Sequence, residues 1–94
     1  MNIRERMKTK TYKFHSDAGH GWLAVKRKEL SELGIICEIS PFSYQRGDTV
    51  YLEEDCDAYK FVKRYEQILG KKCSFVEKYH ERTPIRSYEG FYIK

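Results

Sequence analysis

Five consecutive residues carry most of the chemistry this chain could perform: Glu53, Glu54, Asp55, Cys56 and Asp57. Carboxylates and a thiol at that density can hold a cation, because hard ions favour oxygen ligands. The spacing is not that of a calcium-binding loop, and the glycine such a loop needs is missing. A second reading is structural. Anionic side chains stabilise a helix N-terminus by roughly 0.3–1 kcal/mol each, and Asp55 is placed to cap free N–H groups. Cys56 near a helix start could gain acidity, but its acidic neighbours push the other way, so it does not read as a nucleophile. The knuckle then reads mainly as a helix start. Its acids Glu53, Glu54, Asp55 and Asp57, with Glu38 and Asp48, remain a candidate docking patch.

The run His15-Ser16-Asp17 with His20 holds the letters of a hydrolase triad. A triad is defined by geometry, and neighbours on a strand or tight turn do not converge on one reacting atom. Two His with Asp17 could hold a metal, but they lack the spacing of a zinc finger or of a metalloprotease helix. The glycines flanking His20 are followed by a strand and no Lys-Ser/Thr, so no phosphate loop is present. No catalytic residue, metal ligand or cofactor site is expected; a small metal-dependent enzyme remains a minor alternative.

Basic side chains offer a different chemistry. Lys26, Arg27 and Lys28 stand at a strand–helix junction, Lys71 and Lys72 follow a helix, and Arg82 and Arg86 flank Pro84. Tyr79, Tyr88, Phe91 and Tyr92 are interleaved with the last pair. Cations with aromatic rings suit a nucleic-acid strand, through phosphate contacts and base stacking. The plain alternative is a set of solvated faces and helix-end charges.

These residues need elements to position them. Tyr12 and Phe14 alternate with Lys13 and His15 over Lys10–His15, which predicts a strand. Turn formers over residues 16–21 lead to a second strand at Trp22–Lys26, and a short helix over Lys28–Leu33 ends at Gly34. Phe42–Gln45 and Thr49–Leu52 flank a glycine turn, with Val50 and Leu52 facing in. The main helix spans Asp57 to Leu69, where Ala58, Phe61, Val62, Tyr65, Ile68 and Leu69 form one buried stripe, and Gly70 ends it. Cys73–Tyr79 reads as a strand, and Ile85–Ile93 as a last strand or an irregular tail. The expectation is an α+β fold: an antiparallel sheet of four to six short strands with two helices packed on one face, in the order β-β-α-β-β-α-β. Residues 1–9 read as a flexible basic N-terminal arm, with Met7 a second candidate start, and residues 10–94 as one domain.

The 94 residues suffice for one modest core, and 40% hydrophobic with 34% charged is a globular balance. Net charge runs +5 over residues 1–30, −6 over 31–57 and +5 over 58–94. That alternation is not the single basic stripe of a simple nucleic-acid binder. The longest apolar run, Gly34–Cys37, is far too short to span a bilayer, and the N-terminus lacks the apolar segment of a secretory signal. Three widely spaced Cys fit reduced thiols in a cytoplasm.

Three strings, FHSDAGHGWLAV (14–25), ISPFSYQRGDTVYLEEDCDA (39–58) and TPIRSYEGF (83–91), resemble a family of small proteins of proteobacterial phages and mobile elements. In length and style the chain is similar to the anti-CRISPR family that inhibits type I-F surveillance complexes. The resemblance implies a non-catalytic inhibitor in the host cytoplasm. Its partner would be the host CRISPR surveillance ribonucleoprotein, Cas proteins plus guide RNA, with direct RNA contact and blocked pairing with target DNA. A stand-alone RNA- or DNA-binding module is the alternative.

Overall fold

Alternation in Thr11–Ser16 turns Tyr12 and Phe14 to one side and Lys13 and His15 to the other, and the backbone follows it as the first strand, β1. The computed structural model describes residue 7 and residues 9–93. After β1 come β2 (Gly21–Lys26), α1 (Arg27–Glu32), a 3-10 turn at Ile36–Glu38, β3 (Tyr44–Arg46) and β4 (Thr49–Glu53). Then follow α2 (Asp57–Leu69), β5 (Ser74–Tyr79), a second 3-10 turn at Pro84–Ser87 and β6 (Glu89–Gly90). Among the described residues six strands form one sheet in the order β5-β1-β2-β4-β3-β6, so the fold is α+β.

The sheet is mixed, which corrects the antiparallel expectation. β1 and β5 run parallel, with Thr11 opposite Ser74 and Ser16 opposite Tyr79; the other neighbours are antiparallel. Parallel neighbours need a long connection, and the stretch from β2 through α2 supplies it.

Tyr12, Leu23, Val25, Val50 and Leu52 share one sheet face and meet Leu30 of α1 with Phe61 and Tyr65 of α2. Burying each large side chain contributes roughly 1.5–3 kcal/mol. Tyr12 joins both helices to the sheet. Its ring meets Phe61 at 5.2 Å and Tyr65 at 5.9 Å, both edge-on, and its hydroxyl donates to Glu29 Oε2 at 2.7 Å. Glu29 Oε1 in turn accepts the Lys26 N–H at 2.8 Å, closing the start of α1. Left-handed glycines end both helices, Gly34 (φ 73°) and Gly70 (φ 66°).

The start of α2 differs from expectation. Asp55 makes no cap; its own N–H donates to Glu53 Oε2 at 3.0 Å. Asp57 does the anchoring. Its Oδ2 accepts the Ser40 N–H (3.0 Å), the Ser40 hydroxyl (2.7 Å) and the Ser43 hydroxyl (2.6 Å), and Lys60 Nζ lies 3.1 Å from Oδ1. The Ser40–Ser43 loop is thereby tied to the helix start.

The expected arm, residues 1–9, lies outside the described residues except for Met7 and Thr9. Met7 is only 5% exposed and belongs to the core cluster. Among the described residues no helix is long and apolar enough to cross a membrane.

Candidate functional site

The sheet face away from the helices holds the second set of alternating side chains. Register aligns Lys13 with Ala24 and His15 with Trp22 across β1 and β2, Ala24 with Tyr51 and Lys26 with Thr49 across β2 and β4, and Tyr44 with Tyr51 and Arg46 with Thr49 across β3 and β4. On the other side His15 pairs with Lys78 of β5. Strand alternation therefore places Lys13, Lys26, Arg46 and Lys78 on one surface with His15 and Tyr51.

The chain after β5 covers part of this face. His80 donates its backbone N–H to Ser16 O at 2.8 Å, and its ring stacks on His15 with centroids 5.4 Å apart. Ile85 is buried, and Tyr88 lies over Tyr51 at 5.3 Å, with the Arg46 guanidinium 5.1 Å from the Tyr88 ring. The part left open is a hollow of about 470 Å³ between β1, β2 and β4, whose walls include Lys10, Lys13, His15, Lys26, Thr49 and Tyr51. Burial, then His80, Lys13 and Lys78, hold the His15 imidazole below its ordinary pKa, so it stands neutral among cations.

The same face turns acidic at its other end, where β4 runs into the knuckle. There His20, Trp22, Phe42, Tyr44, Glu53, Asp55, Cys56 and Arg86 line a pocket of about 430 Å³. Trp22 lies under His20 (5.8 Å, stacked) and against Tyr44 (6.3 Å, edge-on). Arg86 is clamped to Asp17 by two hydrogen bonds, Nε to Oδ2 at 3.0 Å and Nη2 to Oδ1 at 2.9 Å. That guanidinium holds the Asp17 carboxyl well below the usual carboxylate range, helped by the N–H groups of Gly19 and His20. Partial desolvation and the carboxylate of Glu53, which accepts its S–H, push the Cys56 thiol up, which suits no nucleophile. Among the described residues no group of three or more His, Cys, Asp and Glu could hold a metal.

No protein-family model, curated protein or solved structure matches this chain.

The residues singled out from sequence scatter. Lys26 is on the basic face, where its Nζ reaches Asp48 (3.4 Å) and Thr49 (3.2 Å). Arg27 is a tether: it donates to Gln45 Oε1 and to Tyr92 O and lies over the Phe91 ring, holding the C-terminal segment down. Lys28 lines a separate hollow beside Met7 and Glu32. Lys71 and Lys72 are exposed beyond α2, Lys71 reaching Thr9 at 3.4 Å. Arg82 lies with Glu81 and Pro84 along the loop beside Asp17. The seven cations do not form one surface.

Of the acidic set, Glu53 and Asp55 line the Trp22 pocket, and exposed Glu54 lies beside Gly21. Asp57 is removed from the docking patch: its side chain is fully buried, with its oxygens engaged as described. Sequence reasoning missed Lys13, Arg46, Lys78, His15 and Tyr51 as a group. The alternation that sets Lys13 and His15 opposite Tyr12 and Phe14 was the signal for two of them. Lys78 joins only through the β1–β5 pairing between segments about sixty residues apart.

Proposed function

We propose that this protein acts without catalysis, as a binding protein that takes single-stranded RNA on the open face of its sheet. The observation that carries this reading is the group of four cations, Lys13, Lys26, Arg46 and Lys78, around the rings of His15, Tyr51 and Tyr88. Rings on an open sheet surface stack on bases, while Lys and Arg neutralise the phosphates between them. The neutral His15 offers a flat ring with a hydrogen-bonding edge inside that positive field. In the setting that the family resemblance implies, the RNA is the guide strand of a Cas-protein surveillance complex, and binding blocks its pairing with target DNA.

Fluorescence anisotropy with a labelled twelve-nucleotide single-stranded RNA tests the first part. Binding should weaken with salt, with a log–log slope of about −2 to −3 for four phosphate contacts. Tyr51→Ala should weaken it by about tenfold, the cost of a lost base stack. Lys13→Ala with Lys78→Ala should lower the salt slope. Absence of any shift at low salt ends the proposal. For the second part, a purified type I-F surveillance complex saturated with this protein should lose target-DNA binding; normal binding rejects that setting.

A further inference from the structure

The pocket at the acidic end of the sheet face is built differently from the basic hollow, and we infer that it is a receptor for an arginine side chain presented by a protein partner. Three observations meet there. Its walls are rings: Trp22, covered by His20 and Arg86, meets Tyr44 edge-to-face, and Phe42 projects beside them with 69% of its surface exposed. Its lining includes the carboxylates of Glu53 and Asp55. Its one cation, Arg86, is already neutralised by the two bonds to Asp17, so the open part of the pocket is anionic.

Rings and carboxylates together select a flat cation. A guanidinium stacks on an aromatic face and presents a planar fork of N–H donors to carboxylate oxygens; an ammonium offers only a point charge. Among the described residues the same pairing recurs as Arg86 over Trp22, Arg46 over Tyr88 and Arg27 over Phe91, beside two lysines over tyrosine rings, Lys10 over Tyr12 and Lys63 over Tyr59. A fourth feature lies in the pocket wall. Trp22 is almost wholly buried, yet its indole N–H has no acceptor. Buried polar groups are ordinarily paired, so the wall of this pocket is not fully satisfied by the chain's own groups. Phosphate-bearing ligands are disfavoured by the carboxylates of Glu53 and Asp55 in the lining.

This site goes beyond the RNA-binding reading and stands if that reading fails. Trp22 is the chain's single tryptophan, so its fluorescence reports the pocket. The intact protein is titrated with acetyl-Gly-Arg-Gly-amide, with its lysine and citrulline counterparts, and with guanosine monophosphate. A saturable change is expected with the arginine peptide, a weaker one with lysine and none with citrulline or the nucleotide. Glu53→Gln and Asp55→Asn should each raise the dissociation constant by about tenfold, as expected for hydrogen bonds to a charged group. Phe42→Ala, at an exposed position, should weaken binding comparably. The double variant Lys13→Ala, Lys78→Ala should bind the peptide unchanged, which separates this site from the basic face. No saturable response to the arginine peptide, an equal response to citrulline, or preference for the nucleotide overturns the proposal.

Discussion

His15 Nδ1 lies 3.2 Å from Nε2 of His80, 65 residues further along the chain, with the two rings stacked. One nitrogen must donate and the other accept, so the tautomers of the two rings are coupled. The contact closes the open end of the parallel β1–β5 ladder, beside the bond from His80 N to Ser16 O. A proton added to His15 places a charge near Lys13 and Lys78, and protons on both rings would leave two donors facing each other.

A pH dependence follows. The folded-state pKa of His15 is depressed by burial first, then by His80, Lys13 and Lys78. The unfolded chain therefore binds the proton more readily, and stability falls as pH drops from about 6.5 towards the folded pKa. Thermal melts between about pH 7.5 and 5.5 should show a falling midpoint, and His15→Gln should flatten that slope. An imidazole titration by NMR that put His15 at or above the ordinary histidine value would contradict the assignment.

Asp57 should be among the costliest acidic residues to remove. Asp57→Ala leaves the Ser40 and Ser43 donors without their acceptor at the start of α2, and Lys60 with Glu38 O in place of its ion pair. A loss of about 3 kcal/mol is expected in urea unfolding, the scale for deleting one partner of a buried charged network. Asp55→Ala, at an exposed position that caps nothing, should change stability by less than about 0.5 kcal/mol. Equal effects of the two would show that the anchoring role is misplaced.

Gly21 leaves room for the Phe14 ring, which would have to shift for any side chain there. A Cβ there would fall 2.6 Å from Phe14 Cε2, inside the contact distance of the ring. Gly21→Ala should destabilise the protein by about 1–3 kcal/mol, the usual cost of overpacking. Adding Phe14→Leu should recover part of that loss, a coupling that a double-mutant cycle reads directly.

The three free thiols should react in a definite order. Cys37 and Cys56 are exposed, whereas Cys73 is buried and its thiol is pushed up to about 11 by burial, then by Glu66 and Glu29. With a disulfide reagent near pH 8, exposed Cys37 and Cys56 should react in the native protein, Cys56 at a rate held down by its raised pKa, because reactivity follows the thiolate fraction. Cys73 should react only on unfolding. Rapid labelling of all three in the native protein would show that the β5 end of the core opens readily.

Much of the frame is legible in the chain. The stripe from Ala58 to Leu69 marks α2, and the glycines at 34 and 70 mark left-handed helix ends. The alternation in residues 11–16 and 49–53 marks strands with one face inward. The candidate sites are less so. Arg27 and Arg86 look like free binding cations in sequence, but each is spent on a distant partner, Gln45 and Asp17. Asp57 looks like its acidic neighbours, yet it alone is buried with serine donors from Ser40 and Ser43.

What the amino-acid sequence determined by itself is therefore local: which residues are helix or strand, which side of each faces the core, and where each helix stops. These follow from side-chain spacing and backbone freedom within a few residues. Which surfaces exist was decided only in three dimensions. The parallel pairing of β5 with β1 brings Lys78 to His15, and the return of the C-terminal segment puts Arg86 over Trp22 and Tyr88 over Tyr51. Those contacts join segments more than thirty residues apart, and no local periodicity encodes which of several apolar and basic stretches will meet. The acidic knuckle is shaped by both. Its helix start is written in its own residues, and its pocket exists because distant aromatic side chains close around it.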